Sequence, residues 1–109
     1  IALDEQNIHA GIKYKHVLLE RYFNDPVLDP LNQRLFALAA YNAGPRRIRQ
    51  YRDRAEEMGL DRDRWVRNVE LVSNRETRTY VANIFKYYIV YREYQRRVEA
   101  LKDLSVIFQ

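Results

Sequence analysis

Carboxylates are the first residues of this sequence that could do chemistry. A pair of them could act as acid and base on a glycosidic bond, and the candidates are Asp4, Glu5, Glu70 and Glu76. Spacing alone singles out no pair. Glu76 also has a structural explanation, because Ser73 and Glu76 have the spacing of a helix capping box. The carboxylates by themselves therefore identify no catalytic group.

The histidines and the missing cysteines argue against other kinds of site. His9 and His16 are seven residues apart, which is about 10 Å along a helix, whereas metal ligands on one helix are usually three or four residues apart. With no cysteine, the chain has no disulfide, zinc-thiolate site or thiol nucleophile. The sequence also lacks a glycine-rich phosphate loop. It predicts no metal and no cofactor, and it predicts that both histidines face solvent.

A corner between two helices is the most distinctive local feature. Residues 35–45 read LFALAAYNAGP, so that an apolar helix rich in small residues ends in a polar pair. Gly44 suits a helix C-terminus, and Pro45 can open a new helix at its first position. A simple helix stop needs only the glycine. The pattern therefore predicts that Tyr41 and Asn42 are held at a rigid corner.

Helical periodicity runs through most of the chain, and no strand pattern is convincing. The predicted helices span about residues 4–23, 31–41, 45–58 and 74–101. The last helix carries an apolar stripe for some seven turns, which includes Tyr88 and Tyr91, and we expect this helix to be contacted on more than one side. A length of 109 residues with 47% hydrophobic residues fits one all-α domain.

The net charge of +4 is concentrated in the middle of the chain. Eight arginines lie between residues 46 and 67, which could suit an anionic partner such as nucleic acid. Arg46, Arg47 and Arg49 follow the corner and could imitate a helix-turn-helix. Acidic residues are interleaved with these arginines, which favours an ordinary solvated face. No apolar run approaches the length of a membrane span, and no signal peptide is present.

Three motifs together resemble one known family. They are NIHAGIKY at residues 7–14, AAYNAGP at residues 39–45 and ETRTYV at residues 76–81. Their order and spacing over residues 4–92 are similar to those of the soluble lytic transglycosylase (SLT) catalytic domain, whose fold is all-α and lysozyme-like. Residues 93–109 have no match. The resemblance implies that residues 1–109 are one partial domain, the C-terminal part of an SLT domain.

The family's chemistry, as the resemblance implies it, needs a single carboxylic acid. A glutamic acid protonates the oxygen of the bond between N-acetylmuramic acid and N-acetylglucosamine, and the muramic C6 hydroxyl attacks C1 to give a 1,6-anhydro end. That acid stands in a Glu-Ser motif, followed by a Gly-Leu-Met-Gln-like motif, before the NIHAGIKY helix. Neither motif occurs in these 109 residues. We expect the acid upstream of Ile1, and we expect the 109 residues alone to be inactive.

The same resemblance implies four substrate-binding residues, which are Tyr41, Asn42, Glu76 and Tyr80. Tyr41 would orient the acid or a sugar, and Asn42 would hold the corner or bond an acetamido group. Glu76 and Tyr80 would line the groove for the muropeptide. Elsewhere, Gly11 would permit close helix packing, whereas Lys15 departs from the apolar residue that is usual in the family.

The expected partner is peptidoglycan, and the expected location of the parent protein is the periplasm or cell envelope. No nucleic acid is expected as a partner. Apolar surface left by absent helices would favour a dimer or a domain swap. Two alternatives stay open from the sequence. One is a non-catalytic relative that binds peptidoglycan or acts as a scaffold, and the other is a helical DNA-binding module.

Overall fold

The computed structural model describes residues 13, 16, 17 and 19–107. Three helices account for most of this part: α1 at Pro30–Ala43, α2 at Pro45–Glu57 and α3 at Arg75–Ile107. Residues 19–23 are also helical, and no strand occurs within residues 19–107. The all-α prediction is confirmed. Most of the predicted helix at residues 4–23, with Gly11, Lys15 and His9, lies outside the described residues.

Each end of α1 and α2 follows from local chemistry. Asp29 caps α1, because its Oδ1 accepts a hydrogen bond of 2.8 Å from the backbone N–H of Asn32. Gly59 ends α2 with φ of +78°, which only glycine adopts readily. The Leu60 N–H then donates to the Ala55 carbonyl at 2.9 Å, and the Leu60 side chain packs against the core. Both helices therefore begin and end within a residue or two of the predicted positions.

An irregular segment connects α2 to α3. It contains a kinked turn at Trp65–Val69, in which Val66 and Arg67 have non-helical backbone angles, and a short helical turn at Glu70–Val72. Arg67 lies in the left-handed region with φ of +61°, and its N–H donates to Glu70 Oε1 at 2.8 Å. Asp61 caps the start of this segment, since its Oδ1 accepts from the Asp63 N–H at 2.9 Å. This segment brings Trp65 back onto α1.

The core lies where α1, α2 and this segment meet. Trp65 and Phe36 are buried and pack edge to face, with ring centroids 5.9 Å apart. Ile48 of α2, Val69 and Val81 of α3 are also buried in the same cluster. The core thus fixes α1 against the first part of α3, where the two helices bring the corner residues together.

We call residues 75–85 the first half of the long helix α3 and the remaining residues 86–107 its second half, and α3 departs from the prediction in the second half. None of residues 82–107 is buried. Tyr88 and Tyr91, which belong to the predicted stripe, are exposed. The expectation that this helix is contacted on more than one side is therefore wrong for its second half within the described structure. The reason is that no other described element extends far enough along α3 to cover it.

Candidate functional site

The corner between α1 and α2 has the predicted geometry. Gly44 has φ of +89°, and its N–H closes α1 by donating to the Ala40 carbonyl at 2.8 Å. Its own carbonyl accepts from the Ile48 N–H at 3.2 Å, inside α2. A single glycine therefore ends one helix and begins the next, which holds Tyr41 and Asn42 at a fixed position on the last turn of α1.

Asn42 is joined to the start of α3. The hydroxyl of Thr77 donates to Asn42 Oδ1 at 2.8 Å, and Thr77 is fully buried. A hydrogen bond between residues 35 positions apart in sequence fixes the corner relative to the long helix. The resemblance implies that Asn42 holds the corner or bonds an acetamido group, and this hydrogen bond supports the first of these roles.

Tyr41 and Tyr80 lie beside this hydrogen bond. Their ring centroids are 6.2 Å apart with an angle of 31° between the planes. Tyr41 is 42% exposed, and Tyr80 is half-buried against the core. The pair forms a partly exposed aromatic surface between the end of α1 and the start of α3. Aromatic faces with hydroxyl groups at their edges suit a ligand that is both apolar and hydrogen-bonding.

Glu76 lies one turn before Tyr80 on α3 and is exposed. The four-residue spacing places both side chains on one face of the helix. The structure thus brings three of the predicted site residues together. The ring of Tyr41 lies beside that of Tyr80, and Asn42 follows Tyr41 in the chain.

The predicted capping box of Ser73 and Glu76 is wrong by one residue. The cap is Asn74, whose Oδ1 accepts from the Thr77 N–H at 2.8 Å, and α3 begins at Arg75. Ser73 is occupied elsewhere, because its Oγ donates to the Glu70 carbonyl at 2.7 Å. Glu76 therefore has no capping role. A carboxylate in the first turn of a helix is still favourable next to the helix dipole.

Two residues that support the site are not predicted from the sequence. Thr77 connects the corner to α3, and Tyr51 accepts a hydrogen bond of 3.3 Å from the Asn74 N–H through its hydroxyl. The signal for Thr77 was its spacing of four residues from Val81, which places it on the buried face of α3. Tyr51 has no such local signal, because its partner lies on a different element.

The described residues contain no group of three or more His, Asp or Glu side chains that could hold a metal ion. His16 is exposed, as predicted, and its Nε2 lies 3.0 Å from Glu20 Oε1. No helix within the described part of the chain is long and apolar enough to cross a membrane. The described residues at the corner offer hydrogen bonding and aromatic contact, with one carboxylate on α3.

Comparison with known proteins gives consistent results. The family model of the transglycosylase SLT domain matches residues 4–63. The chain is 36% identical over 97 residues to the membrane-bound lytic murein transglycosylase F of Desulfosudis oleivorans, covering 89% of this chain and 21% of that protein. It is 35% identical over 101 residues to the soluble lytic murein transglycosylase of Salmonella typhimurium, covering 93% of this chain and 14% of that protein.

A third relative is the soluble lytic murein transglycosylase of Escherichia coli K12, which is 34% identical over 88 residues, 81% of this chain and 12% of that protein. The chain spans about a fifth or less of the length of these relatives. No solved structure matched it. The family match contains the first two motifs, and a similarity that covers 93% of the chain also includes the third. The chain belongs to the transglycosylase SLT domain family, within the lysozyme-like superfamily.

Proposed function

We propose that this chain is part of a peptidoglycan lytic transglycosylase and supplies one wall of its substrate groove. The parent enzyme would cleave the MurNAc-β-1,4-GlcNAc bond and leave 1,6-anhydro-muramic ends. Membership of the SLT family and relatives named as murein transglycosylases support the reaction class. The proposal treats residues 1–109 as one partial domain of that enzyme.

The observation that carries the proposal is the connection between the corner and α3. Asn42 accepts the Thr77 hydroxyl bond, and Tyr41 lies beside Tyr80, so two motifs that are far apart in sequence form one surface. A groove that binds a sugar chain needs fixed hydrogen-bonding and aromatic groups. A glycine corner anchored by a buried threonine provides that rigidity.

Each of the four residues has a distinct task in this proposal. The hydroxyl of Tyr41 orients the general acid or a sugar hydroxyl. The Oδ1 of Asn42 is used by Thr77, which leaves its Nδ2 group to donate to an acetamido oxygen. Tyr80 offers its half-buried ring to an apolar sugar face. Glu76 is exposed beside it on the same helix and accepts hydrogen bonds from sugar hydroxyls.

The acid itself is expected outside these residues. The 109-residue sequence has no Glu-Ser motif, and the resemblance assigns the general acid to such a motif upstream of Ile1. This acid would deliver its proton to the glycosidic oxygen as the C1–O bond breaks, and the carboxylate left behind would take the proton of the muramic C6 hydroxyl as that oxygen bonds to C1. No water is consumed, so that a second catalytic carboxylate is not needed. The 109 residues alone are therefore expected to be inactive.

The test is release of 1,6-anhydromuropeptides from purified peptidoglycan by the full-length protein, followed by mass spectrometry. Tyr41→Phe removes only the hydroxyl, and we expect the rate to fall about 10- to 100-fold, the effect of losing a hydrogen bond to a charged or reacting group. Tyr87→Phe is the matched control, because Tyr87 is 73% exposed on the second half of α3. Equal rates for both variants would contradict the role of Tyr41.

A non-catalytic peptidoglycan-binding or scaffolding protein is the second candidate. It differs from the first candidate in that the full-length protein would carry no general acid. The full-length protein would then bind peptidoglycan in a pull-down assay and release no anhydro products. Under either function we propose the periplasm or cell envelope as its location. The dimer or domain swap expected from the sequence stays a prediction, which light scattering of the purified protein would test.

A DNA-binding module is the third candidate. It was suggested by the eight arginines between residues 46 and 67, and four of these have acidic partners. Arg52 pairs with Asp63 at 2.7 Å, and Arg62 pairs with Glu56 at 2.5 Å. Arg54 and Arg64 have looser partners within their own segments. The structure thus agrees with a solvated face for these four residues. The other four, Arg46, Arg47, Arg49 and Arg67, make no ion pair with a described residue.

A further inference from the structure

A polar pocket lies between residues 21–25 and the start of α2. Its volume is about 380 Å³. We call it the arginine pocket, because five of the eight residues that line it are arginines: Arg21, Arg46, Arg49, Arg52 and Arg62. The other lining residues are Tyr22, Asp25 and Pro45. The four substrate-binding residues proposed above take no part in it.

Two of the five arginines have structural roles. Arg52 is largely buried, donates to the Arg62 carbonyl and to Asp63, and lies 5.0 Å from the centroid of the Phe36 ring. Arg62 contacts both Asp53 and Glu56, and these two carboxylates raise the pKa of its guanidinium group. The positive charge of both arginines is therefore largely balanced within the protein.

The other three arginines have no such partner. Arg21, Arg46 and Arg49 make no ion pair with any described residue, and all three are exposed. Asp25 is the one acid that lines the arginine pocket. Its Oδ1 accepts from the Val27 N–H at 3.0 Å and caps its own loop. Three cations thus face a shared space with one carboxylate among them.

Tyr22 supports this convergence. Burial raises the pKa of its hydroxyl, and the positive charges of Arg21, Arg52 and, more weakly, Arg49 act in the opposite direction. Charges from two different helices therefore act on one buried group. Since like charges placed together repel, the arginine pocket is stabilised by any anion that enters it.

Guanidinium groups are suited to one class of anion in particular. Their planar fork binds a carboxylate or a phosphate through two parallel hydrogen bonds. A continuous polyanion fits this location poorly, because the three carboxylates of Asp53, Glu56 and Asp63 outnumber the two arginines with which they pair. The negative charge that remains beside the arginine pocket would repel the flanking charges. A short ligand with one or two discrete acidic groups avoids them. Carboxylates on a short flexible chain meet this requirement.

We propose that the arginine pocket binds the carboxylate groups of the peptide stems carried by the peptidoglycan strand, through Arg21, Arg46 and Arg49. This inference rests on the proposed function, because it takes the glycan to lie at Tyr41. Five peptide units separate Tyr41 from Arg46, so that their Cα atoms are at most about 19 Å apart. An extended peptide of four residues spans about 13–14 Å, and the arginine side chain adds its own reach. A stem on a bound sugar therefore reaches the pocket.

The experiment measures calorimetric binding of two probes to the full-length protein. One is the disaccharide GlcNAc-MurNAc with its tetrapeptide, and the other is the same disaccharide without peptide. Neither contains the MurNAc-GlcNAc bond, so that cleavage does not interfere. We expect the peptide-bearing probe to bind about tenfold more tightly, and Arg46→Gln/Arg49→Gln to remove most of that difference. Affinity for the peptide-free probe should stay unchanged.

Arg47→Gln is the matched control. Arg47 is exposed on the same turn of α2 but does not line the arginine pocket, so this variant should keep the tenfold difference. Circular dichroism confirms that all variants are folded. The inference is overturned if the double variant keeps the preference, or if it loses affinity for both probes equally.

Two further outcomes separate this inference from the proposed function. If the wild-type protein binds both probes with the same affinity, the arginine pocket takes no part in peptide recognition and the proposed function stands. If it binds neither probe, the proposed function fails and the inference fails with it. The protein could instead bind duplex DNA with an affinity that falls as salt is added, and the double variant could lose this binding. That result would assign the arginines to nucleic-acid binding and overturn the inference.

Discussion

The two halves of α3 have similarly spaced apolar residues and different surroundings. In the first half, Thr77 and Val81 are buried against α1, and Tyr80 and Phe85 pack against the core. In the second half, apolar side chains recur at the same three- or four-residue spacing but remain exposed. Examples are Tyr87, Val90, Tyr94, Leu101 and Leu104. The periodicity of a helix thus indicates which face is apolar and does not indicate what covers it.

This difference separates the part of α3 that positions the site from the part that does not. The first half holds Asn42 through Thr77 and carries Glu76 and Tyr80. The second half holds no residue of the proposed groove. Its helical hydrogen bonds are open to water along most of the surface, so that we expect it to fray more easily than the first half. Matched substitutions in the two halves can test this contrast.

The largest expected effect is at Val81. Val81→Ala removes two methyl groups from a side chain that is 2% exposed, and the free energy of unfolding should fall by about 2–3 kcal/mol through lost burial and the cavity left behind. Val90→Ala makes the same change on the same helix at a side chain that is 60% exposed, and should alter stability by no more than about 0.5 kcal/mol. Urea denaturation measures both. Equal losses would mean that the second half is covered in solution.

The next effect is at Thr77. Thr77→Val keeps the shape of the side chain but removes the donor to Asn42 Oδ1, and we expect a loss of about 1–2 kcal/mol because a partly buried acceptor is left without its partner. Thr79→Val is the control, since Thr79 is exposed two residues away. If the corner positions the groove, Thr77→Val should also reduce turnover more than its loss of stability explains. If the folded Thr77→Val variant keeps full activity, the corner does not contribute to catalysis.

A smaller effect is expected at the start of α3. Asn74→Ala removes the cap that bonds the Thr77 N–H, and should cost about 1 kcal/mol. Asn83→Ala is the matched control, because Asn83 is exposed inside the same helix, where alanine has the higher helix propensity. Thermal unfolding of both variants measures the difference. A loss at Asn83 equal to that at Asn74 would show that Asn74 does not act as a cap.

Much of the fold could be predicted because its signals are local. The corner depends on Gly44 and Pro45, and the end of α2 depends on Gly59 and Leu60. Each of these residues has a backbone preference that acts within one helical turn. The SLT family was also predicted from short motifs, and the family match confirmed it. The same local logic chose Ser73 instead of Asn74 as the cap, since both residue types are favourable caps.

The remaining features depend on contacts between distant residues. Asn32 Oδ1 accepts from the Trp65 N–H at 2.9 Å, across 33 positions of sequence, and nothing local to either residue indicates that bond. Arg67 adopts a left-handed conformation that arginine rarely takes, and it is held there by Glu70. The arginine pocket needs residues 21–25 and α2 to meet. No local pattern in the sequence indicates that these two segments lie side by side.

The smallest expected effect is at Glu93, in the second half of α3. Hydrogen bonds from Arg96 and Arg97 lower the pKa of its carboxylate from 4.5 to about 2. Because the pKa is lower in the helix than in the unfolded chain, the stabilisation is present above pH 4.5 and is lost as the pH falls towards 2. We expect the helicity of this half to decrease over that interval, and Glu93→Gln to remove the pH dependence while leaving the midpoint of global unfolding at pH 7 unchanged. Residue-resolved NMR at several pH values measures the helicity of each half. A matching loss in residues 75–85 would show that the two halves unfold as one unit, and the contrast between them would then hold for burial only.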